Sequence, residues 1–264
     1  MCRLLGYIGP PINLDTLVLK PPHSLVVQAY APQELNEALL NADGFGLGWY
    51  HPTQEKPPFT YRNILPIWND INLEPLCRYV ATGCALTYIR SATPGQAIDL
   101  ANCQPFQAGQ LLFTHNGYIK RFRDTLYQPM RQAMSDRVYA GINGSTDSEH
   151  IFGWLLTALA QQPHLSLVEA LRRTLTKLLA LAESADTAMA ANILMSDGHQ
   201  LVGARLASQK PAPSLYWLKA AQQFPDAVIV ASEPLFNDLW EPVAESSLFT
   251  INANCDVQFY PLGD

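Results

Sequence analysis

The chain has 264 residues, 48% of them hydrophobic and 15% charged, with a formal net charge of −6. That is enough apolar material for a sizeable core in one large domain or two small ones, and no unbroken apolar run of about 18 residues marks a membrane span. The acidic balance, with no run of Lys or Arg, argues against a nucleic-acid or anionic-membrane surface and favours a small-molecule substrate.

The chain begins Met1-Cys2-Arg3-Leu4-Leu5-Gly6-Tyr7-Ile8. This reads as a strand, unusual for a terminus, since first residues are ordinarily frayed and disposable. Removal of one methionine would leave a thiol and an α-amine on the same residue, Cys2. A terminal amine has a pKa of about 7.7–8.0, so near neutral pH a fraction is free to take the thiol proton. The plain alternative is a cysteine at a tolerated position. The start lacks a basic region, an apolar segment and a small-residue cleavage site, which makes the cytoplasm the default location. The five cysteines, Cys2, Cys77, Cys84, Cys103 and Cys255, are scattered without a C-x-x-C spacing, so neither a disulfide framework nor a zinc site is expected.

Strand-like runs follow at Ser24–Tyr30, Gly46–Tyr50, Cys84–Ser91 and Leu111–Asn116, each rich in Val, Leu, Ile, Tyr or Phe. Between them Asn41-Ala42-Asp43-Gly44-Phe45-Gly46-Leu47-Gly48-Trp49 has a glycine-rich look but no Gly-Lys-Ser/Thr and no dinucleotide fingerprint. It reads as a turn entering a closely packed strand. The prolines of Lys56–Pro66 suit a surface excursion better than a central strand, and Asp70–Val80 suits a short helix.

Thr146-Asp147-Ser148-Glu149 then has capping-box spacing ahead of a helical apolar pattern through Leu159. Ser166-Leu167-Val168-Glu169 repeats the signal, predicting an antiparallel helix pair. Beyond it, Asp197-Gly198 marks a hairpin turn, Pro211-Ala212-Pro213 a loop, and Leu215–Leu218, Ala227–Ala231, Leu248–Ile251 and Val257–Tyr260 further strands. Strands, helices, strands in that order predict an α+β layered domain with two mostly antiparallel sheets face to face and helices outside. Without an internal repeat or linker, residues 1–264 read as one domain, or 2–264 once Met1 is removed.

Several polar clusters carry two readings each. Arg90, at the exit of an apolar strand, is either a solvated arginine or a fork for a substrate carboxylate. Asn116-Gly117 is a turn signal, yet its amide and backbone N–H are also what an oxyanion hole requires. His115 suits a structural role better than that of a general base. Asp147 caps a helix or, facing a cleft, receives an ammonium.

Taken in order, Met-Cys-Arg, Tyr-Ile-Arg-Ser-Ala-Thr, Thr-His-Asn-Gly-Tyr-Ile and Ser-Thr-Asp-Ser-Glu resemble the class II glutamine amidotransferase domain of the N-terminal nucleophile hydrolases. The resemblance implies a four-layer αββα sandwich and no metal or organic cofactor. It implies catalysis by Cys2, with Asn116 and Gly117 stabilising the oxyanion, and Arg90, Thr93 and Asp147 binding the glutamyl carboxylate and ammonium. Cys2 would form a thioester that water then hydrolyses to glutamate. Many members carry a histidine after the threonine of the arginine block, whereas here Thr93 is followed by Pro94-Gly95, which weakens the assignment of Thr93. Many also feed ammonia to a synthase domain; this chain ends without one, so a free-standing hydrolase is expected.

Residues 19–30 together with 40–46 resemble the ergothioneine-biosynthesis branch, which cleaves γ-glutamyl-hercynylcysteine sulfoxide. The alternatives are a hydrolase of glutathione or other γ-glutamyl peptides, a glutaminase subunit serving a separate synthase, and a binding protein without turnover. Leaving-group specificity is expected in loops such as Pro21–Ser24, Asn41–Gly46 and Arg137–Gly144. Tyr30, Phe45, Trp49 or Tyr139 are either core residues or cation–π partners for a trimethylammonium.

Overall fold

The computed structural model describes residues 2–34, 40–93 and 95–263. Met1 and Pro94, on which two of the expectations above fall, lie outside them.

In chain order, β1 (Arg3–Asn13) is followed by α1 (Asp15–Val18), α2 (Leu25–Tyr30), β2 (Phe45–Trp49), β3 (Phe59–Asn63), α3 (Leu73–Tyr79) and β4 (Ala81–Ile89). Next come β5 (Phe106–Ala108), β6 (Leu111–Ile119), α4 (Tyr127–Gln132), α5 (Asp136–Ala140), α6 (Asp147–Gln161) and α7 (Leu167–Ser184). The chain closes with β7 (Met189–Ser196), β8 (Gln200–Ala207), β9 (Tyr216–Ala221), β10 (Phe224–Ala231), β11 (Glu241–Pro242), β12 (Ser247–Asn252) and β13 (Val257–Pro261). A seven-stranded sheet runs β11-β9-β10-β1-β4-β2-β3, and a six-stranded sheet runs β13-β12-β8-β7-β6-β5.

The layering follows from the two-residue period of the strands. In β1 and β4, Leu4, Ile8, Cys84, Leu86 and Tyr88 share one apolar cluster with Leu112, Leu194, Leu201 and Phe249 of the six-stranded sheet. Their alternate neighbours Leu5, Tyr7, Ala85 and Ile89 instead pack with Leu17, Leu25, Leu73 and Cys77 of α1–α3. On the other sheet, Phe113, Ile193 and Val202 face Ile151, Phe152, Leu155, Leu171, Leu175 and Leu178 of α6 and α7. Three apolar interfaces separate four layers, the expected αββα order. Nearly all strands are sandwiched, so both faces are apolar and the alternation seen in half-exposed sheets is muted.

The helix pair is as expected. The Oγ1 of Thr146 accepts from Glu149 N (3.2 Å) and the Oγ of Ser166 from Glu169 N (3.3 Å). The capping box is only half made, because the Glu149 carboxylate reaches Asn143 N (2.9 Å) and Gly144 N (2.7 Å) instead of the cap residue. Two expectations fail. The run Ser24–Tyr30 is not a strand: Ser24 caps a helical turn, its Oγ accepting from Val27 N (3.4 Å). Leu25, Gln28 and Ala29 are the residues that turn buries, a helical 3,1 spacing that overrides the β-branched pair Val26-Val27. The run Lys56–Pro66 is not wholly an excursion, since β3 pairs with β2 at the edge of its sheet. There the prolines stay outside the ladder, as an edge permits.

Candidate active site

β1 and β4 pair antiparallel with Arg3 opposite Ile89, which brings the residue before β1 against the residues after β4. Ser91 N–H accordingly donates to Cys2 Sγ (3.3 Å), and the thiol donates to Ser91 O (3.4 Å). Cys2 has the same parity as Leu4 and Ile8 and belongs to the cluster between the sheets. The buried Tyr88 phenol is its neighbour, kept well above its ordinary pKa by burial and by the adjoining Cys2, so it stays neutral. Burial pushes Cys77 and Cys84 up to about 12 and also raises Cys103 and Cys255, which leaves them protonated and unreactive near neutral pH.

The start of β1 is fixed by an unusual set of buried charges. Arg3 Nη1 donates to Cys2 O (3.0 Å), and its Nη2 lies 2.7 Å from Glu233 Oε1. His23 Nε2 meets the other Glu233 oxygen at 2.7 Å, and Gln33 N and Glu34 N donate to the same carboxylate. Burial opposes ionisation of Glu233, but the His23 hydrogen bond and the Arg3 charge outweigh it and hold the carboxyl below its ordinary value. Nothing in the sequence pattern pointed to Glu233, which is 230 residues from Arg3 in number and adjacent only through the β1–β10 pairing.

Opposite, in β6, parity sorts the polar block. Asn116 shares the face of Leu112, toward the other sheet, whereas His115 shares that of Phe113, toward the helices. Asn116 is 1% exposed and neither atom of its side-chain amide has a hydrogen-bond partner among the described residues. A buried unpaired amide costs roughly 1–3 kcal/mol, and Asn41 is the other asparagine left with both amide atoms unpaired among the described residues. His115 is fully engaged: its Nδ1 meets Ser148 Oγ (2.8 Å) and its Nε2 meets Ala190 O (3.3 Å). Burial depresses its pKa against the opposing charge of Asp147, so the ring is neutral and structural, as expected.

The turn reading of Asn116-Gly117 is overturned, for both residues lie inside β6, opposite Asn192 and Ala191 of β7. Glycine is required there because a Cβ would sit 2.0 Å from Ala190 O and 2.5 Å from His115 Nε2.

Asp147 is not the helix cap, a role Thr146 fills. Its Oδ2 accepts from Ile119 N (2.7 Å) and its Oδ1 from Ser148 N (2.8 Å), tying α6 to the end of β6. It is 8% exposed and lines a cleft of about 630 Å³ that also contains Cys2, Thr93, Gln96 and Gly117. Arg90 does not line this cleft. Its guanidinium donates to Asp43 O (3.3 Å), Gln96 Oε1 (3.4 Å) and Ala97 O (3.1 Å), neutral acceptors only, directly behind the Gln96 wall.

The outer part of the cleft comes from Lys120–Asp124, a segment the sequence reading did not single out. The loops 21–24 and 41–46 are absent from its lining, and 137–144 borders a separate groove of about 830 Å³. Tyr30, Phe45, Trp49 and Tyr139 are likewise elsewhere; Phe45 is a core residue and Tyr30 packs on Trp68. Among the described residues, no group of three or more His, Cys, Asp or Glu side chains is placed to hold a metal ion, and no helix is long and apolar enough to cross a membrane.

A family model for glutamine amidotransferases class-II matches residues 16–216, well over half of the chain. The chain belongs to this family. It is an enzyme of amide-bond hydrolysis, and its αββα layers are those of the family's domain. A curated protein of Mycobacterium tuberculosis (strain CDC 1551 / Oshkosh), named gamma-glutamyl-hercynylcysteine sulfoxide hydrolase, is 30% identical over 252 residues, covering 95% of this chain and 93% of that protein. A solved glutamine aminotransferase class-II domain protein from Silicibacter pomeroyi superposes with a TM-score of 0.71 at 26% identity, over 98% of this chain and 99% of the other. The glutamine phosphoribosylpyrophosphate amidotransferase of B. subtilis has a TM-score of 0.67 at 16% identity. This chain covers 49% of that protein's length, and the likeness is one of fold.

Proposed function

We propose that this protein is a γ-glutamyl amidohydrolase that cleaves γ-glutamyl-hercynylcysteine sulfoxide to glutamate and hercynylcysteine sulfoxide, with Cys2 as nucleophile after removal of Met1. The observation that carries the chemistry is the convergence on one cleft of the Cys2 thiol, held against Ser91 N–H, Gly117 and the Asp147 carboxylate; the unpaired Asn116 amide, next to Gly117 in β6, is buried and does not itself line the cleft. The substrate assignment rests on the full-length likeness to the mycobacterial hydrolase.

In this mechanism the Cys2 α-amine takes the thiol proton, and the sulfur attacks the δ-carbonyl carbon of the glutamyl group. The Asn116 amide and Gly117 N–H stabilise the oxyanion, a contribution of about 3 kcal/mol for such a donor. The C–N bond breaks as the amine returns the proton to the leaving nitrogen. Water, deprotonated by the same amine, then attacks the thioester and releases glutamate and the thiol. Asp147 retains acceptor capacity for the substrate ammonium. Arg90 supplies a buried cation without a carboxylate partner among the described residues. A substrate carboxylate reaching it takes the place of Gln96 Oε1, and Thr93, exposed on the cleft wall, closes that end. The reaction as written consumes only water and uses no metal or organic cofactor.

Glutamate release by wild-type and Cys2→Ala protein, offered glutamine, glutathione and γ-glutamyl-hercynylcysteine sulfoxide at matched concentration, tests the proposal. Selective turnover of the sulfoxide conjugate, abolished in the variant, is the expected result. Preference for glutamine would transfer the assignment to an ammonia-supplying glutaminase, and undiminished turnover by Cys2→Ala would remove the nucleophile. Intact mass measured beside specific activity tests processing: full activity of protein retaining Met1 would rule out the α-amine as base.

A further inference from the structure

The cleft is much larger than a glutamyl group needs; about 630 Å³ falls within the range of roughly 300–1,000 Å³ typical of sites for drug-sized ligands. Its inner walls, from residues 91–93 and 95–96 after β4, 117–119 of β6 and the start of α6, face the glutamyl moiety in the proposed mechanism. The outer wall is the turn Lys120-Arg121-Phe122-Arg123-Asp124. A chain with net charge −6 and 17 basic residues in 264 places three of them within four consecutive positions here.

This turn is built rather than loose. Lys120 N donates to Ala188 O (2.8 Å), and Thr187 Oγ1 donates to Lys120 O (2.6 Å), which anchors its first residue to the segment between α7 and β7. Asp124 N and Thr125 N both donate to Arg121 O (2.9 and 3.1 Å), closing the turn over Arg121, whose φ of 51° is left-handed. Phe122 is buried edge-on against Tyr127 and His150. With Phe122 turned inward, its neighbours Arg121 and Arg123 are exposed at the cleft. Among the described residues none of Lys120, Arg121 and Arg123 forms an ion pair. The carboxylates in the same lining are Asp124 and Asp147, and neither pairs with these three cations among the described residues.

We infer that Lys120, Arg121 and Arg123 form a carboxylate subsite for the leaving amine, so that the enzyme selects γ-glutamyl conjugates of amino acids over glutamine. The inference rests on the γ-glutamyl reading of the site and adds to it the chemistry of the other half of the substrate. Any γ-glutamyl amino acid carries an α-carboxylate one carbon from the scissile nitrogen, whereas glutamine releases ammonia and offers this wall nothing. Guanidinium groups at the rim hold a carboxylate with geometric preference and attract it over a Debye length of about 8 Å at physiological salt.

The test compares kcat/KM for glutamate release from γ-glutamylglycine, γ-glutamylglycinamide and glutamine, in wild type and in the double variant Arg121→Asn, Arg123→Gln. Asparagine tolerates the left-handed backbone of position 121. The wild-type preference for γ-glutamylglycine over its amide should be roughly tenfold, as for one charge-assisted hydrogen bond. It should shrink toward unity in the double variant, and at high salt. Equal use of acid and amide by wild type, or a preference unaffected by the substitutions and by salt, would overturn the subsite while leaving γ-glutamyl cleavage standing. Binding of γ-glutamylglycine to Cys2→Ala protein separates the two ideas. Failure of the mechanism alone leaves binding intact and charge-dependent, whereas binding indifferent to the arginines refutes the subsite whatever the turnover.

Discussion

Asn116→Ala separates catalysis from stability at this site. In the structure the amide is buried with no partner on either atom, so folding already bears an unpaired polar group worth roughly 1–3 kcal/mol. Truncation removes that penalty and leaves a small void costing about 1 kcal/mol, which nearly offsets it. The unfolding free energy should therefore change little, by less than about 1 kcal/mol in either direction. Turnover should fall by about 10²–10³, the loss expected for one oxyanion donor. Asn192, its partner in the β6–β7 register, is the control. That amide donates to Pro213 O (3.2 Å) and Ser214 O (2.8 Å), so Asn192→Ala should lose about 1–3 kcal/mol of stability. Urea denaturation and steady-state glutamate release measure both quantities on the same preparations. Asn116→Ala protein destabilised by several kcal/mol, or turning over at the wild-type rate, would refute the argument that the amide is kept unpaired for the reaction.

Gly117→Ala should fail more broadly, because the added Cβ meets the backbone carbonyl of Ala190, which cannot move without disturbing the β6–β7 ladder; overpacking of this kind costs about 1–3 kcal/mol or more, and poor expression or a lowered melting temperature checks it. Glu233→Gln leaves Arg3 buried without its counter-charge and should cost about 3–5 kcal/mol, read by denaturation, with turnover falling as Cys2 loses its tether. Acidification provides a further check. Burial lowers the pKa of both His115 and His150, so the unfolded chain binds their protons first as pH falls through the ordinary histidine range near about 6.5. Stability is thus fully present above that range and declines below it. A midpoint independent of pH between about 7 and 5 would contradict the neutral, buried state of these rings.

What could be read from the chain, and what could not, divides by the range of the interactions. The helix pair was legible because caps and apolar spacing act within one or two turns: Thr146 and Ser166 make the hydrogen bonds their positions announce. The first strand, read as far as Ile8 and in fact running to Asn13, and the hairpin at Asp197-Gly198 were legible for the same reason. Ser24–Tyr30 was misread because a short, mainly apolar run fits either periodicity, and the face it must bury is set by α1, β1 and the turn at Ile67–Asn69. Asn116-Gly117 carries a turn signal in isolation, which eight consecutive pairings with β7 override.

The sequence alone determined the chemistry available: a thiol at the second position, an Asn-Gly pair, an aspartate opening a capped helix, and four polar blocks in one order. It also determined the parity by which Cys2 falls on the face of Leu4 and Ile8, since strand alternation is a local property. Only the tertiary structure decided which of these groups meet. The Arg3–Ile89 register brings Cys2 to Ser91, the stacking of two sheets turns Asn116 toward the same interface, and Asp147 joins through its bond to Ile119. It also decided that Arg90 sits behind Gln96, and that the basic turn 120–124 walls the cleft. Such placements depend on contacts across tens to hundreds of residues, where the energy lies in burial and pairing that no local pattern records.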